Sequence, residues 1–240
     1  MQLKCLASGS NGNCYLLQAN NGETLILDCG IPIKAIKKGL NWNLKNVVGV
    51  LVTHHHKDHS KAINELENMK FQTFKPYEEN CLTKVMGDFT VRTFKLVGKD
   101  NHFTHTNADG TECHCYGFMI THKEMGKMIY ITDTEYVLWK FKGVNHILVS
   151  CNYQKQNINM NNSSKNNHVV RGHMELATVK EFVKSNCSTN LNNVVLCHLS
   201  KDNANSTECV TEISKIAPIT KIDYANKGKK WDFNIDSCPF

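Results

Sequence analysis

The sequence turns on Thr53-His54-His55-His56-Lys57-Asp58-His59, which follows directly on the apolar run Val47–Val52. That run is rich in β-branched residues and apolar at successive positions, which predicts a strand buried on both faces. A buried strand fixes where its end lies, and the residues after it project from the sheet edge. His54 and His56 are two residues apart, so on an extended chain they face one side. Asp58 and His59 follow where the chain turns into a helix. Imidazole and carboxylate suit zinc, and also manganese or iron. One cation cannot easily gather four ligands from so short a segment. Two neighbouring cations can: His54 and His56 hold one, Asp58 and His59 the other. Paired cations of this kind sit about 3.5–4 Å apart and stabilise both the attacking and the leaving oxygens of a displacement. His55 faces away from them and reads as structural.

The pattern around this segment is layered. Leu3–Leu6, Tyr15–Gln18 and Leu25–Asp28 read as strands separated by the turn signals Asn11-Gly12 and Asn21-Gly22. Pro32 opens a helix to about Lys38. Ser60–Met69 carries Ala62, Ile63, Leu66 and Met69 at helical spacing, with Ser60 as its N-cap. Phe89–Leu96, Tyr116–Thr121, Met128–Thr132, Asn145–Ser150 and Val194–Leu199 read as further strands, and Glu175–Lys184 and Thr207–Ile216 as helices. Asn152–Asn167 holds seven asparagines in sixteen residues and few large apolar groups, so it reads as a long exposed loop. Strands precede and separate helices in both halves, which implies an α/β arrangement over one domain, residues 1–240.

Composition narrows the class. Of 240 residues, 41% are hydrophobic and 21% charged, the balance of a globular chain. No apolar run approaches the ~20 residues of a membrane helix, and no basic stretch with an apolar core opens the chain. A cytoplasmic location with no membrane partner is therefore expected. Eleven cysteines make an odd count without a CxxC pair, so they read as reduced thiols, several packed as small hydrophobes. Cys113-x-Cys115 is a weak alternative metal motif. The net charge of +6, from 28 Lys+Arg against 22 Asp+Glu, favours anionic partners.

The H-x-H-x-D-H pattern after a buried strand resembles the metallo-β-lactamase fold superfamily, and the resemblance runs along the whole chain. Ser8-Gly9-Ser10-Asn11-Gly12-Asn13 resembles the opening of its YycJ/WalJ-like branch. Leu25-Ile26-Leu27-Asp28-Cys29-Gly30 resembles the superfamily's early strand ending in Asp and Gly, and Ile131-Thr132-Asp133-Thr134 its strand-to-loop Asp-Thr. Val194–Ser200 with His198 resembles the last strand, and Arg171-Gly172-His173-Met174 a segment shared with tRNA 3′-processing relatives. The resemblance implies a four-layer αββα sandwich. It places His54, His56 and a third histidine on the first metal, Asp58, His59 and His198 on the second, and Asp133 between them. The third histidine is His105, with His114 and His102 as alternatives. Asp133 and His198 each end an apolar run, where a side chain can project into a cleft. His173 is implied as a proton donor to the leaving group, a natural histidine task. Ser8 and Asn11 are candidate substrate contacts on a turn that does not match a phosphate-binding P-loop.

Two divalent ions, zinc foremost and manganese or iron as alternatives, would activate water as a nucleophile, so the reaction is a hydrolysis. A phosphodiester fits best: a nuclease or phosphodiesterase acting on DNA, in which the activated hydroxide attacks phosphorus. Nucleic acid would be gripped by its phosphates without sequence readout, since no recognition helix or RNA-binding aromatic signature is present. An ester or thioester hydrolase of the glyoxalase II or lactamase type is the second reading. A metal-binding protein without turnover is the third.

Overall fold

The computed structural model describes residues 1–158 and 172–235. β1 (Gln2–Ala7), β2 (Cys14–Gln18), β3 (Thr24–Leu27), β4 (Val47–Leu51) and β5 (Thr73–Phe74) form one sheet in sequential order. β6 (Thr83–Met86), β7 (Phe89–Lys95), β8 (Tyr116–His122), β9 (Gly126–Ile131), β10 (His146–Ser150), β11 (Asn193–Cys197) and β12 (Lys221–Tyr224) form the second, again in order. β13 (Lys230–Asp232) returns to pair with β1. The helices are α1 (Ile33–Gly39), α2 (Lys57–Ser60), α3 (Ile63–Asn68), α4 (Leu176–Asn186) and α5 (Ser206–Ser214). β5, β6, β12 and β13 are short and carry no strong apolar alternation, which is why the sequence did not predict them.

The strand period of two sorts the layers. In β3, Leu25 and Leu27 enter a core shared by both sheets, while Ile26 faces outward against Ile36 and Leu66. In β11, Val195 and Cys197 join the central core, while Val194 and Leu196 pack outward with Val179, Phe182 and Ile213 of α4 and α5. Both faces of both sheets are thus covered, giving helix, sheet, sheet and helix in turn. Burying a side chain of this size stabilises by about 1.5–3 kcal/mol.

β3, β4 and β5 run parallel, as do β9 to β12. Ile131 pairs with Val149, and Val149 with Leu196, so Asp133 and His198 each lie two residues beyond one common rung. In open α/β sheets the carboxyl ends of parallel strands are where ligand clefts form. Among the described residues no helix is long and apolar enough to cross a membrane.

Two expectations need correction. Ser60 does not cap the following helix. Its hydroxyl donates to the carbonyls of His55 at 2.7 Å and His56 at 3.0 Å, closing α2. Backbone bonds from Cys29 N–H to His59 O (2.8 Å) and from Ala62 N–H to Cys29 O (3.0 Å) break the segment into two short helices. Nor is the loop from Asn152 exposed at its start. Asn152, Tyr153 and Gln154 are buried, held by amides donated to Met174 O and Asn203 O at 2.9 Å each. The rest of that run from residue 159, and Arg171, lie outside the described residues.

His146 at the start of β10 is fully buried, stacked on Phe233 with ring centroids 4.2 Å apart. Burial pulls its pKa from 6.5 down to about 4. The unfolded chain takes up this proton near 6.5 and the folded chain only near 4. The stabilisation is therefore full above the upper value and is lost as pH falls to the lower, by at most about 3 kcal/mol. His146→Leu is expected to flatten the fall of the urea midpoint over that pH window relative to the parent. Parallel slopes in the two proteins would show that His146 is not the group responsible.

Candidate metal centre

The centre is assembled from strand ends. Asp28 follows β3, His54 to His59 follow β4 and begin α2, Asp133 follows β9, and His198 follows β11. Asp28, Asp133 and His198 have φ of 54°, 50° and 51°. A non-glycine residue in the left-handed region costs on the order of 1–3 kcal/mol and persists where its surroundings over-determine it. Here the turn aims each side chain back across the sheet edge.

Asp28 is a fully buried carboxylate and accepts four hydrogen bonds. The Thr53 amide donates at 2.9 Å and the Thr53 hydroxyl at 3.1 Å. His59 Nδ1–H donates at 2.7 Å, and the Tyr130 hydroxyl completes the set. Because the Thr53 proton goes to a carboxylate, Oγ1 is left to accept from His54 Nδ1–H at 3.1 Å. His54 Nε2 is then a bare lone pair, buried and without a partner.

The same logic fixes two more rings. His105 Nδ1–H donates to the Gly172 carbonyl at 3.1 Å, leaving Nε2 a lone pair. Asn107 Nδ2 donates to Thr111 Oγ1 and Glu112 O, which turns its Oδ1 to accept from His56 Nε2–H at 3.0 Å. His56 Nδ1 and His105 Nε2 consequently face each other with lone pairs at 3.1 Å. The ring centroids of His54 lie 4.8 Å from His56 and 5.2 Å from His105. Three inward lone pairs around one point repel each other unless a cation lies between them. This donor set fits a first metal position. Gly172, at φ 78°, comes so close that a Cβ there would lie 2.3 Å from His105 Nδ1.

The second cluster is more acidic. Asp58 Oδ2 lies 3.4 Å from His59 Nε2 and 3.5 Å from His198 Nε2. Asp133 reaches His59 Nε2 with Oδ2 at 2.8 Å, and His198 Nε2 and His173 Nδ1 with Oδ1 at 3.7 and 3.2 Å. It also shares ligand distance with His54 and with His105, so it lies between the two clusters. Burial disfavours a charged His59 ring, but Asp28 and Asp133 outweigh it and hold the pKa well above the ordinary value. Burial likewise opposes the Asp133 charge, and His198 and His59 hold its carboxyl well below the usual range. Burial pushes the His54 ring far toward neutral, and takes His105 down to about 4. A cation at the second position replaces the proton of His59 Nε2. His198 asks for more: with Asn152 Oδ1 accepting from the Met174 amide, Nδ2 faces His198 Nδ1 at 3.0 Å, so binding through Nε2 requires that amide to turn.

Of the alternatives for the third histidine, His102 pairs with Glu112 at the surface and His114 stacks on Phe103; neither joins these clusters. His55 is exposed and packs on Tyr77. His173 stands at the rim beside Asp133, with 20% of its side chain exposed. Ser8 Oγ accepts from the His198 amide and from the Tyr15 hydroxyl at 2.9 Å each, which places it beneath a candidate ligand. Asn11 is exposed at the turn tip. The asparagine that reaches the centre is Asn13, whose Nδ2 lies 3.0 Å from His59 Nε2. The sequence does not mark Asn13, Thr53, Tyr130 and Asn152 as site residues, because isolated polar residues at strand ends carry no spacing signal. The early-strand Asp28-x-Gly30 pattern was the one usable hint, and Gly30 is needed because a Cβ would lie 1.6 Å from Asp58 O.

The sequence model of the metallo-beta-lactamase superfamily matches residues 7–68. The chain is 30% identical over 158 residues to exodeoxyribonuclease YycJ of Bacillus anthracis, covering 60% of this chain and 58% of that relative, less than two thirds of its length. It is 23% identical over 269 aligned positions to exodeoxyribonuclease WalJ of Streptococcus pneumoniae, covering 98% of this chain and 93% of that one. The fold superposes on the metallo-beta-lactamase fold protein YhfI from Bacillus subtilis with a TM-score of 0.68 at 16% identity, covering 96% and 99% of the two chains.

Asp28→Asn replaces an acceptor oxygen with a donor, so one of its four partners loses its acceptor. Zinc affinity is expected to fall about 10–100-fold. The metal-free protein should lose about 1–3 kcal/mol in urea unfolding from the unpaired buried group. Chelator competition measures the first; an unchanged affinity contradicts the assigned role.

Proposed function

We propose that the chain is a YycJ/WalJ-like member of the metallo-β-lactamase superfamily and acts as a two-metal phosphodiesterase that degrades DNA. The observation that carries the reading is the arrangement of His54, His56 and His105 on one side of Asp133 and Asp58, His59 and His198 on the other. Similarity to two exodeoxyribonucleases supports DNA as the substrate. The net charge of +6 favours a polyanion and predicts binding that weakens with salt.

Divalent ions held by these residues would supply a nucleophile from water near neutral pH and would neutralise charge on the phosphoryl oxygens. Zinc suits the histidine-rich first set, and manganese or iron also suit the carboxylate-bearing second set. The protein does the rest. Asp28 keeps the Nδ1 proton on His59 and, through Thr53, on His54, so both rings present Nε2. Asp133 is buried between the clusters, within ligand distance of both. His173 is partly exposed, and its Nδ1 lies 3.2 Å from Asp133 Oδ1. A partly exposed imidazole at this rim can protonate the departing sugar oxygen.

End-labelled duplex DNA, single-stranded DNA and RNA incubated with metal-loaded protein decide the substrate. Asp58→Ala and Asp133→Ala are expected to lower cleavage by at least about 100-fold. Failure to cut any of the three with zinc, manganese or iron bound would move the activity to an ester or thioester. The His173 role has a sharper test. His173→Ala should cost about 100-fold in kcat on DNA, yet little on a p-nitrophenyl phosphodiester, whose leaving group needs no proton. Equal losses on both substrates would assign His173 to structure instead.

A further inference from the structure

Two cysteines that this reaction does not use lie against the first metal position. Cys113 and Cys115 precede β8, are fully buried, and hold their sulfurs 4.0 Å apart. Donor atoms of His54, His56 and Cys113 lie within 4.8 Å of one another, and so do those of His54, His105 and Cys115. Between them, these two groups contain all three histidines of the first position, so sulfur approaches that position from two sides. The placement is enforced by backbone. Cys113 N–H donates to His105 O at 2.9 Å, Leu96 N–H to Cys115 O at 3.0 Å, and Tyr116 N–H to Thr53 O at 3.1 Å. The segment is therefore stitched to the chain on either side of the centre. Cys197 behaves differently: it faces the apolar core between the sheets, as buried free cysteines ordinarily do.

We propose that Cys113 and Cys115 form a thiolate arm of the first metal position, so that the ion held by His54, His56 and His105 takes sulfur as a further ligand. Each thiol that binds releases its proton to solvent. Imidazole and carboxylate alone also accept manganese and iron, whereas thiolate sharpens the preference for zinc, cadmium and cobalt over manganese and magnesium. The first position would then carry sulfur beside its three imidazoles. The inference rests on the metal assignment and is independent of which bond is cut.

Cobalt reports the ligands directly. The cobalt-loaded protein is expected to show sulfur-to-metal charge-transfer absorption in the near ultraviolet beside the visible d–d bands. Cys113→Ser and Cys115→Ser should each weaken that absorption and the double variant abolish it, while Cys187→Ser, at an exposed cysteine remote from the cluster, should leave it intact. The preference for zinc over manganese should fall at least about tenfold in the double variant. Visible bands without the ultraviolet band in the parent protein overturn the proposal, whatever the variants do, and so does an ultraviolet band that survives both substitutions. Absence of both bands sinks the metal assignment beneath it.

Discussion

The buried carboxylate of Asp28 is the constraint on which the centre depends. It is one residue beyond β3, fully buried, and satisfied by four donors from three elements: Thr53, His59 and Tyr130. A buried charge is tolerated only when it is hydrogen-bonded in this way. In return it dictates which nitrogen of two histidines carries a proton. His59 is set directly. His54 is set through a hydroxyl that has only one proton to give. Ligand tautomer is thus decided before any cation arrives, by a group that touches none.

The rest of the architecture serves to bring such groups to one edge. Two sheets with parallel halves end at a common level, so four loops from distant parts of the chain meet there. The left-handed conformations at Asp28, Asp133 and His198 are local distortions that the packed sheets sustain. Apolar burial on both faces of β3, β4, β9, β10 and β11 offsets that cost. Gly30 and Gly172 permit the closest approaches, one under α2 and one against His105.

Much of this was legible in the sequence, for identifiable reasons. The segment from His54 to His59 is legible because its donors are neighbours in the chain, and the long strands because both their faces are apolar. The layer order follows from the alternation of strands and helices. His105 could be narrowed only to one of three histidines, since a loop of changed length hides register; the fold brings His105 alone beside His56. The groups that orient the rings were invisible, because Asn13 and Asn152 meet their histidines across 46 positions of chain each, and Tyr130 meets Asp28 across 102. Ser60 reads as a cap in the local pattern because no local signal announces the tertiary strap from Cys29.

Nitrogen NMR of histidine-labelled protein, recorded without metal and again with zinc, tests the central claim most directly. A proton on Nδ1 of His54, His59 and His105 in both states is the predicted result, with the change on zinc binding confined to Nε2. A proton on Nε2 but not Nδ1 of His54 or His59 in the metal-free protein would contradict it, because Asp28 would then not be setting the ligands.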